Sequence, residues 1–403
     1  MPRKVVPMTG LTALRCDVDP GGLPEYSVVY TDRALNHMSR RFVGVMQDIV
    51  SVLKSTYHAS AVAVVPGGGT FGMEAIVCQF AHDKKCLVVH NGFFSYRRSP
   101  IIEMGEVTND VTVLAARTVI EAPRAPWAPA PVDEVVAAIR EQKPELVFAP
   151  HVETASGMVL PDDHVRAIAA ATHEGGGLFV LDGIASGAMW VDMTDLGVDL
   201  LVSAPQKDWS GSPCGAFVMF GPAARTAIEG TTSSSFALDL KKWLTIAEGY
   251  ALGQHSYHAT MPTDALAVDA LAVDALAVDA LAVDAQRLKE TRDRGLDLVR
   301  RRQVDLGAKV RAVLAERGFA SVAARGFEAP GVAVCFADDP EVKNVRKFLD
   351  VGVQAAAGVP LQCGAGPDFS TVRLGLFGLD TWDDIDAAVA RLADALDQMG
   401  YRA

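Results

Sequence analysis

The sequence predicts an α/β fold, with a mainly parallel sheet sandwiched by helices and a smaller α+β unit at the C-terminal end. Three observations carry that expectation. Short unbroken apolar runs recur through the first half of the chain, and helix-like patterns fill the stretches between them. After about residue 295 this alternation stops, and a long helix, two strand-like runs and an amphipathic terminal helix follow.

The apolar runs are Ala61–Val65, Cys86–His90, Glu145–Ala149, Leu178–Asp182, Leu200–Ser203 and Ala216–Phe220. A strand with one wet face alternates apolar and polar residues, so unbroken runs suit strands covered on both faces. Val132–Arg140 and Asp163–Thr172 have helical spacing, as crossovers between parallel strands require. Residues 1–30 hold four prolines and three glycines and are expected to form an arm. Residues 31–294 then make the large domain and 295–403 the small one. The small domain is expected to hold the helix Leu296–Arg317, the strands Gly331–Phe336 and Thr371–Leu376, and the helix Asp383–Met399.

Composition narrows the function. The chain has 403 residues and a formal charge of −12. That balance argues against nucleic acid or an anionic membrane as the main partner, and leaves a small anion in a local pocket open. There is no apolar stretch of transmembrane length and no leader-like apolar run at the N-terminus. The six cysteines show neither CxxC spacing nor zinc-type pairing with histidine, so reduced thiols, a cytoplasmic setting and no metal are expected.

Chemistry gathers around Lys207. It follows the run Leu200–Ser203, and Asp182 closes the run Leu178–Asp182, 25 residues earlier. Ligands of parallel sheets bind at the carboxyl ends of strands, so an acid and an amine there can face one crevice. An aspartate can hold a pyridinium nitrogen protonated, and a lysine can anchor the carbonyl of a cofactor. A helix cap is the other reading of Asp182, and a solvated surface amine that of Lys207. Pro66-Gly67-Gly68-Gly69-Thr70-Phe71-Gly72 follows the first run and precedes the helical pattern Met73–Phe80. Such a turn offers backbone N–H groups to a phosphate, or is a plain tight turn; it has neither Walker nor dinucleotide spacing. Asn91–Arg97 contains Phe94, an aromatic able to stack on a flat ring or to fill the core. Arg373, inside an apolar run, needs an anionic partner when buried, either a ligand carboxylate or a structural one.

Together these segments resemble the class V aminotransferases of fold type I, in the alanine–glyoxylate and serine–glyoxylate aminotransferase-like branch. Asn36-His37-Met38-Ser39 is similar to the family's early helix signature, Gly68-Gly69-Thr70 to its phosphate loop and His151-Val152-Glu153-Thr154-Ala155-Ser156-Gly157 to a motif beside the cofactor. Asp182-Gly183-Ile184-Ala185-Ser186 is similar to its aspartate motif and Gln206-Lys207 to its Schiff-base motif. Ser235–Trp243, Tyr257-His258-Ala259-Thr260-Met261-Pro262 and Arg373-Leu374-Gly375 also resemble family segments. Phe94 stands where that branch usually has tryptophan, and Ala155 replaces a common hydroxyl residue.

The resemblance implies a seven-stranded sheet, pyridoxal 5′-phosphate as cofactor and a homodimer with shared active sites. It implies a transaminase that moves an amino group from a small L-amino acid to a 2-oxo acid such as glyoxylate or pyruvate. Lys207 and Asp182 would be catalytic. Gly68, Gly69, Thr70, Phe94, Thr154, Ile184, Gln206, Tyr257 and Thr260 would hold the cofactor, the last two from the neighbouring subunit, and Arg373 would bind the substrate carboxylate. The alternative is a cysteine desulfurase or selenocysteine lyase using Cys363, which lies 10 residues before Arg373.

One segment fits no signature. Asp-Ala-Leu-Ala-Val repeats four times from Asp264 and ends at Asp284-Ala285. Alanine and leucine favour helix, but a five-residue period spreads Asp around the cylinder, so some Asp must face the packed side. Removing three copies would take out 15 residues, about four helical turns, and leave the following sequence nearly in phase.

Overall fold

The computed structural model describes residues 35–254 and 273–403, except for the side chains of residues 273–278. Tyr257 and Thr260 lie outside the described residues, as does the arm expected over 1–30. Helix α1 (Arg40–Tyr57) begins at Ser39, whose side chain accepts the Phe42 N–H at 3.1 Å. Strand β1 (Ala61–Pro66) leads into helix α2 (Gly69–Phe80). Strand β2 (Cys86–His90) leads into the short helix α3 (Phe93–Tyr96), and strand β3 (Val111–Ala115) follows. Helix α4 (Val132–Gln142), strand β4 (Leu146–Pro150), helix α5 (Asp162–Glu174) and strand β5 (Leu178–Asp182) come next. Strand β6 (Leu200–Ser203), the single turn α6 (Pro205–Asp208) and strand β7 (Gly215–Phe220) complete the large sheet.

That sheet has seven strands in the order β1-β7-β6-β5-β4-β2-β3. Only β7 runs antiparallel to its neighbours β1 and β6. The central strands are buried along their whole length, as unbroken apolar runs require. Helix α7 (Leu240–Ala251) and helix α8 (Val273–Arg294) follow, then helix α9 (Leu296–Glu316). A second sheet, of strands β8 (Val332–Phe336), β9 (Ala356–Ala357) and β10 (Thr371–Gly375), has β10 in the middle. Helix α10 (Ile385–Gln398) packs its apolar face on this sheet's own core, together with Leu306, Val310 and Leu314 of α9.

Several boundaries move from expectation. The helix expected from Met73 starts at Gly69, because Gly68 is extended (φ −143°) and the glycines after it enter the first turns. The terminal helix splits at Asp384, whose side chain accepts the Ala387 N–H, and a separate short turn covers Leu379–Asp383. The sequence reading missed β3: it is a half-buried edge strand interrupted by Thr112, so its run is neither continuous nor alternating.

The five-residue repeat does bury a charge. Asp284 is 0 % exposed, and its carboxylate accepts the Ser212 N–H at 2.6 Å and the Cys214 thiol at 3.0 Å. It therefore grips the loop that leaves α6. Asp279, one unit earlier, accepts the Leu35 N–H at 3.2 Å. Burial pushes the Asp284 carboxyl from 3.8 up to about 6, against the lowering effect of both donors. A raised folded-state pKa means that the native chain binds this proton more tightly than the unfolded one. Stability then falls as pH rises from about 4 to about 6. Asp284→Asn keeps an acceptor for Ser212 and removes the charge, so it should flatten this slope by roughly 3 kcal/mol across the window. Urea unfolding of both proteins between pH 4 and 7 measures the slope; parallel curves would contradict the assignment.

Candidate active site

The carboxyl ends of β1, β2, β4, β5 and β6 open on one crevice. Asp182 ends β5 and pairs in register with Pro150 of β4 on one side and Val202 of β6 on the other. Its carboxylate accepts the Ile184 N–H at 3.1 Å. Burial raises its pKa, and the Arg98 guanidinium opposes that rise. Arg98 is 2 % exposed, donates to the Met73 carbonyl at 2.6 Å and lies 4.6 Å from the centre of the Phe148 ring. Arg98 and Asp182 share the wall of one small buried void. The sequence reading missed Arg98 because, written out, it is an ordinary exposed-type residue after a turn.

Lys207 sits on α6, which packs against β7. Its amine is held below the usual lysine range, first by burial and then by the Arg373 guanidinium. It lies 5.5 Å from the centre of the Phe377 ring. Asp208, the next residue, points the other way and accepts the Gly187 N–H at 2.6 Å and the Ser203 hydroxyl at 2.8 Å. These bonds fix the turn that carries the lysine. The Gln206 side-chain oxygen is buried and without a partner among the described residues.

The glycine turn lies beside these groups. Gly67 has φ +113°, a conformation side chains avoid. A Cβ on Gly69 would fall 2.5 Å from Ile184 Cδ1, so Ile184 closes directly over the start of α2. Gly68 and Thr70 flank that contact. Phe94 lies on α3, which is held by Glu153. That buried carboxylate accepts the N–H groups of Ser95 (2.8 Å), Ala155 (2.9 Å) and Phe94 (3.4 Å) and the Ser95 hydroxyl (2.7 Å). Burial nonetheless raises its pKa. Thr154 is buried beside it. Arg373, on β10 of the small sheet, reaches across to 5.7 Å from the Phe94 ring centre and donates its Nε to the Ala357 carbonyl at 2.8 Å. It is half-buried, with no carboxylate in ion-pair contact among the described residues.

Cys363 lies over the same region, with Sγ 3.5 Å from the carbonyls of His90 and Leu361. Burial pushes its thiol up to about 12, so it stays protonated at neutral pH. Among the described residues, no group of three His, Cys, Asp or Glu side chains is placed to hold a metal, and no helix is long and apolar enough to cross a membrane.

The crevice therefore offers a buried acid, a depressed amine, a backbone cradle and a cation from the second sheet. Among the described residues, Asp182 has no cation in ion-pair contact, and Arg373 and the glycine turn have no carboxylate in contact. That set suits a flat molecule with a basic ring nitrogen and a phosphate, joined by a carboxylate-bearing substrate.

Comparison with known proteins agrees with this chemistry. The profile of the family described as aminotransferase class-V matches residues 115–307. The chain is 28% identical over 377 residues to a 2-aminoethylphosphonate–pyruvate transaminase of Burkholderia ambifaria, covering 92% of this chain and 90% of that protein. It is 32% identical over 216 residues to an L-aspartate–glyoxylate aminotransferase of Paracoccus denitrificans, covering 53% and 51%. Its fold is similar to the crystal structure of an alanine–glyoxylate aminotransferase from Nostoc sp., with a TM-score of 0.73, 19% identity, and 91% and 89% coverage.

Glu153→Ala would orphan the Phe94, Ser95 and Ala155 amides, while the Ser95 hydroxyl keeps the Gly92 carbonyl at 3.0 Å. At about 1–3 kcal/mol for each orphaned group, the expected loss is about 3 kcal/mol or more. Urea unfolding checks it, with Glu153→Gln, which keeps an acceptor, losing clearly less.

Proposed function

This chain belongs to the class-V aminotransferase family, and from that premise we propose that Lys207, Asp182 and Arg373 form its reacting centre. The chain is a pyridoxal-phosphate-dependent transaminase that transfers an amino group to a 2-oxo acid. We take the acceptor to be pyruvate or glyoxylate, as in the names of its relatives, and the donor to be a small amine or amino acid. The observation that carries the site assignment is the placement of Asp182 and Lys207 at the ends of the adjacent parallel strands β5 and β6.

When bound, the cofactor supplies a carbonyl that condenses with amines and a protonated ring that withdraws electrons. The residues do the rest. Asp182, whose burial-raised pKa is pulled back by Arg98, would hold a proton on the ring nitrogen. Gly68, Gly69, Thr70 and Gln206 would hold the phosphate, and Phe94 and Ile184 would contact the ring. Thr154 lies near its edge. Lys207 would take and return the substrate Cα proton with Nζ, and its depressed pKa enlarges the neutral fraction that this requires. Arg373 clamps the substrate carboxylate and so orients the Cα–H bond.

A homodimer with Tyr257 and Thr260 given across the interface belongs to the same proposal. The exposed aromatic Phe71, beside the glycine turn, supports a covering partner there. The lyase alternative would need a thiolate at Cys363, which its raised pKa disfavours.

Two experiments test this reading. Amino donors are added singly to the yellow holoenzyme while its visible spectrum is recorded, followed by pyruvate or glyoxylate. One donor should bleach the band and one acceptor restore it, and Lys207→Ala should lose the cycle altogether. Arg373→Gln should raise the KM of a carboxylate-bearing donor about 10–100-fold, the weight of a charge-assisted pair. Cys363→Ala should transaminate within about twofold of the wild type. Sulfide released from cysteine by the wild type and lost in Cys363→Ala would establish the lyase instead.

A further inference from the structure

The glycine turn is short of donors for a dianion. Of Gly67, Gly68, Gly69 and Thr70, only Thr70 has a polar side chain, and Gly68 caps α2 without a side-chain hydrogen bond. Backbone N–H groups, that hydroxyl and the Gln206 amide are all neutral donors for a phosphate with about two negative charges. A cation beside them would match that charge better, and one stands there. Arg97, at the end of α3, donates Nη1 to Thr70 Oγ1 at 3.0 Å. Its guanidinium lies 4.7 Å from the Phe94 ring centre and 5.5 Å from that of Phe93.

We propose that Arg97 is the cation that binds the cofactor phosphate, reaching it both directly and through the Thr70 hydroxyl. The inference rests on the pyridoxal-phosphate reading given above. Four features carry it. First, a guanidinium has five N–H donors, and among the described residues only one of them is spent, on Thr70. Second, among the described residues no carboxylate is in ion-pair contact with Arg97, so its charge is available to a ligand. Third, a hydroxyl that accepts from a guanidinium turns its own proton outward, which makes Thr70 a better donor to an anion. Fourth, the Thr70 hydrogen bond and the Phe94 ring 4.7 Å away hold the guanidinium in place before any ligand arrives, so less freedom is lost on binding.

Phe94 has a second cation near it, Arg373, at 5.7 Å. The two guanidiniums come from different sheets. Arg97 is tied to the glycine turn of the large sheet, and Arg373 to the middle strand of the small one. Both guanidiniums thus stand near one aromatic ring, each anchored to a different part of the fold. Arg97 also acts electrostatically on both Asp182 and Lys207, which puts its charge within reach of the whole cofactor site.

The test compares a phosphorylated and an unphosphorylated ligand. Apoenzyme is titrated with pyridoxal 5′-phosphate and, separately, with pyridoxal, and the visible band gives each dissociation constant for wild type, Arg97→Gln and Arg97→Lys. Arg97→Gln should weaken pyridoxal 5′-phosphate by about 30-fold or more and pyridoxal by less than about threefold. Arg97→Lys, which keeps the charge and loses the fork, should fall between. Pyridoxal binding itself reports that the pocket is folded. Equal losses on both ligands in Arg97→Gln, or in Arg97→Lys should the glutamine variant bind neither, would overturn the inference and make Arg97 a packing residue of α3. A wild type that binds neither ligand would instead remove the cofactor reading beneath it.

Discussion

A carboxylate buried at the end of a central strand has to be answered by positive charge, and the arrangement around Asp182 follows from that constraint. Ionised and unpaired, it would cost several kcal/mol or take up a proton. The fold answers with Arg98, buried behind the strand ends without touching Asp182 in an ion pair, and with Arg97 more distantly. The Arg98 guanidinium thus opposes the rise that burial gives this carboxyl without forming a contact ion pair with it. A contact salt bridge would have spent the same charge on the protein itself.

The same logic explains how two sheets meet at one site. The large sheet supplies an acid, an amine and a backbone cradle from loops that follow parallel strands, where side chains converge naturally. The further cation Arg373 comes from the centre of the small sheet and stands 5.7 Å from the Phe94 ring centre. Phe93, Phe94, Leu361 and Cys363 fill the seam between them in one apolar cluster. Their packing lowers the local dielectric and depresses the Lys207 amine, so the joint between the sheets is part of the chemistry.

Much of this was legible in the sequence, for reasons that differ by residue. Strands β2, β5 and β6 were readable to the residue because burial on both faces leaves an unbroken apolar run. The edge strand β3, with a face open to water, lacks that signature. Asp182 and Lys207 were legible because their positions after such runs fix where they point. Arg97 and Arg98 were not, since their meaning comes from contacts with Thr70, Met73 and Phe148, up to 50 residues away in the chain. The glycine turn was placed correctly, but its last glycines were not seen to open α2.

The repeat shows how an irregular insertion can be borne beside a site. A five-residue period cannot keep its acids on one side of a helix, so one of them had to be buried. The described structure puts Asp284, the last, against the loop after α6, where two donors meet it. Because every unit ends alike, adding or removing copies upstream leaves the residues just before Ala285 unchanged. The acid that meets Ser212 and Cys214 therefore has the same sequence before it whatever the number of copies, and the contact to the lysine loop depends on the last position alone.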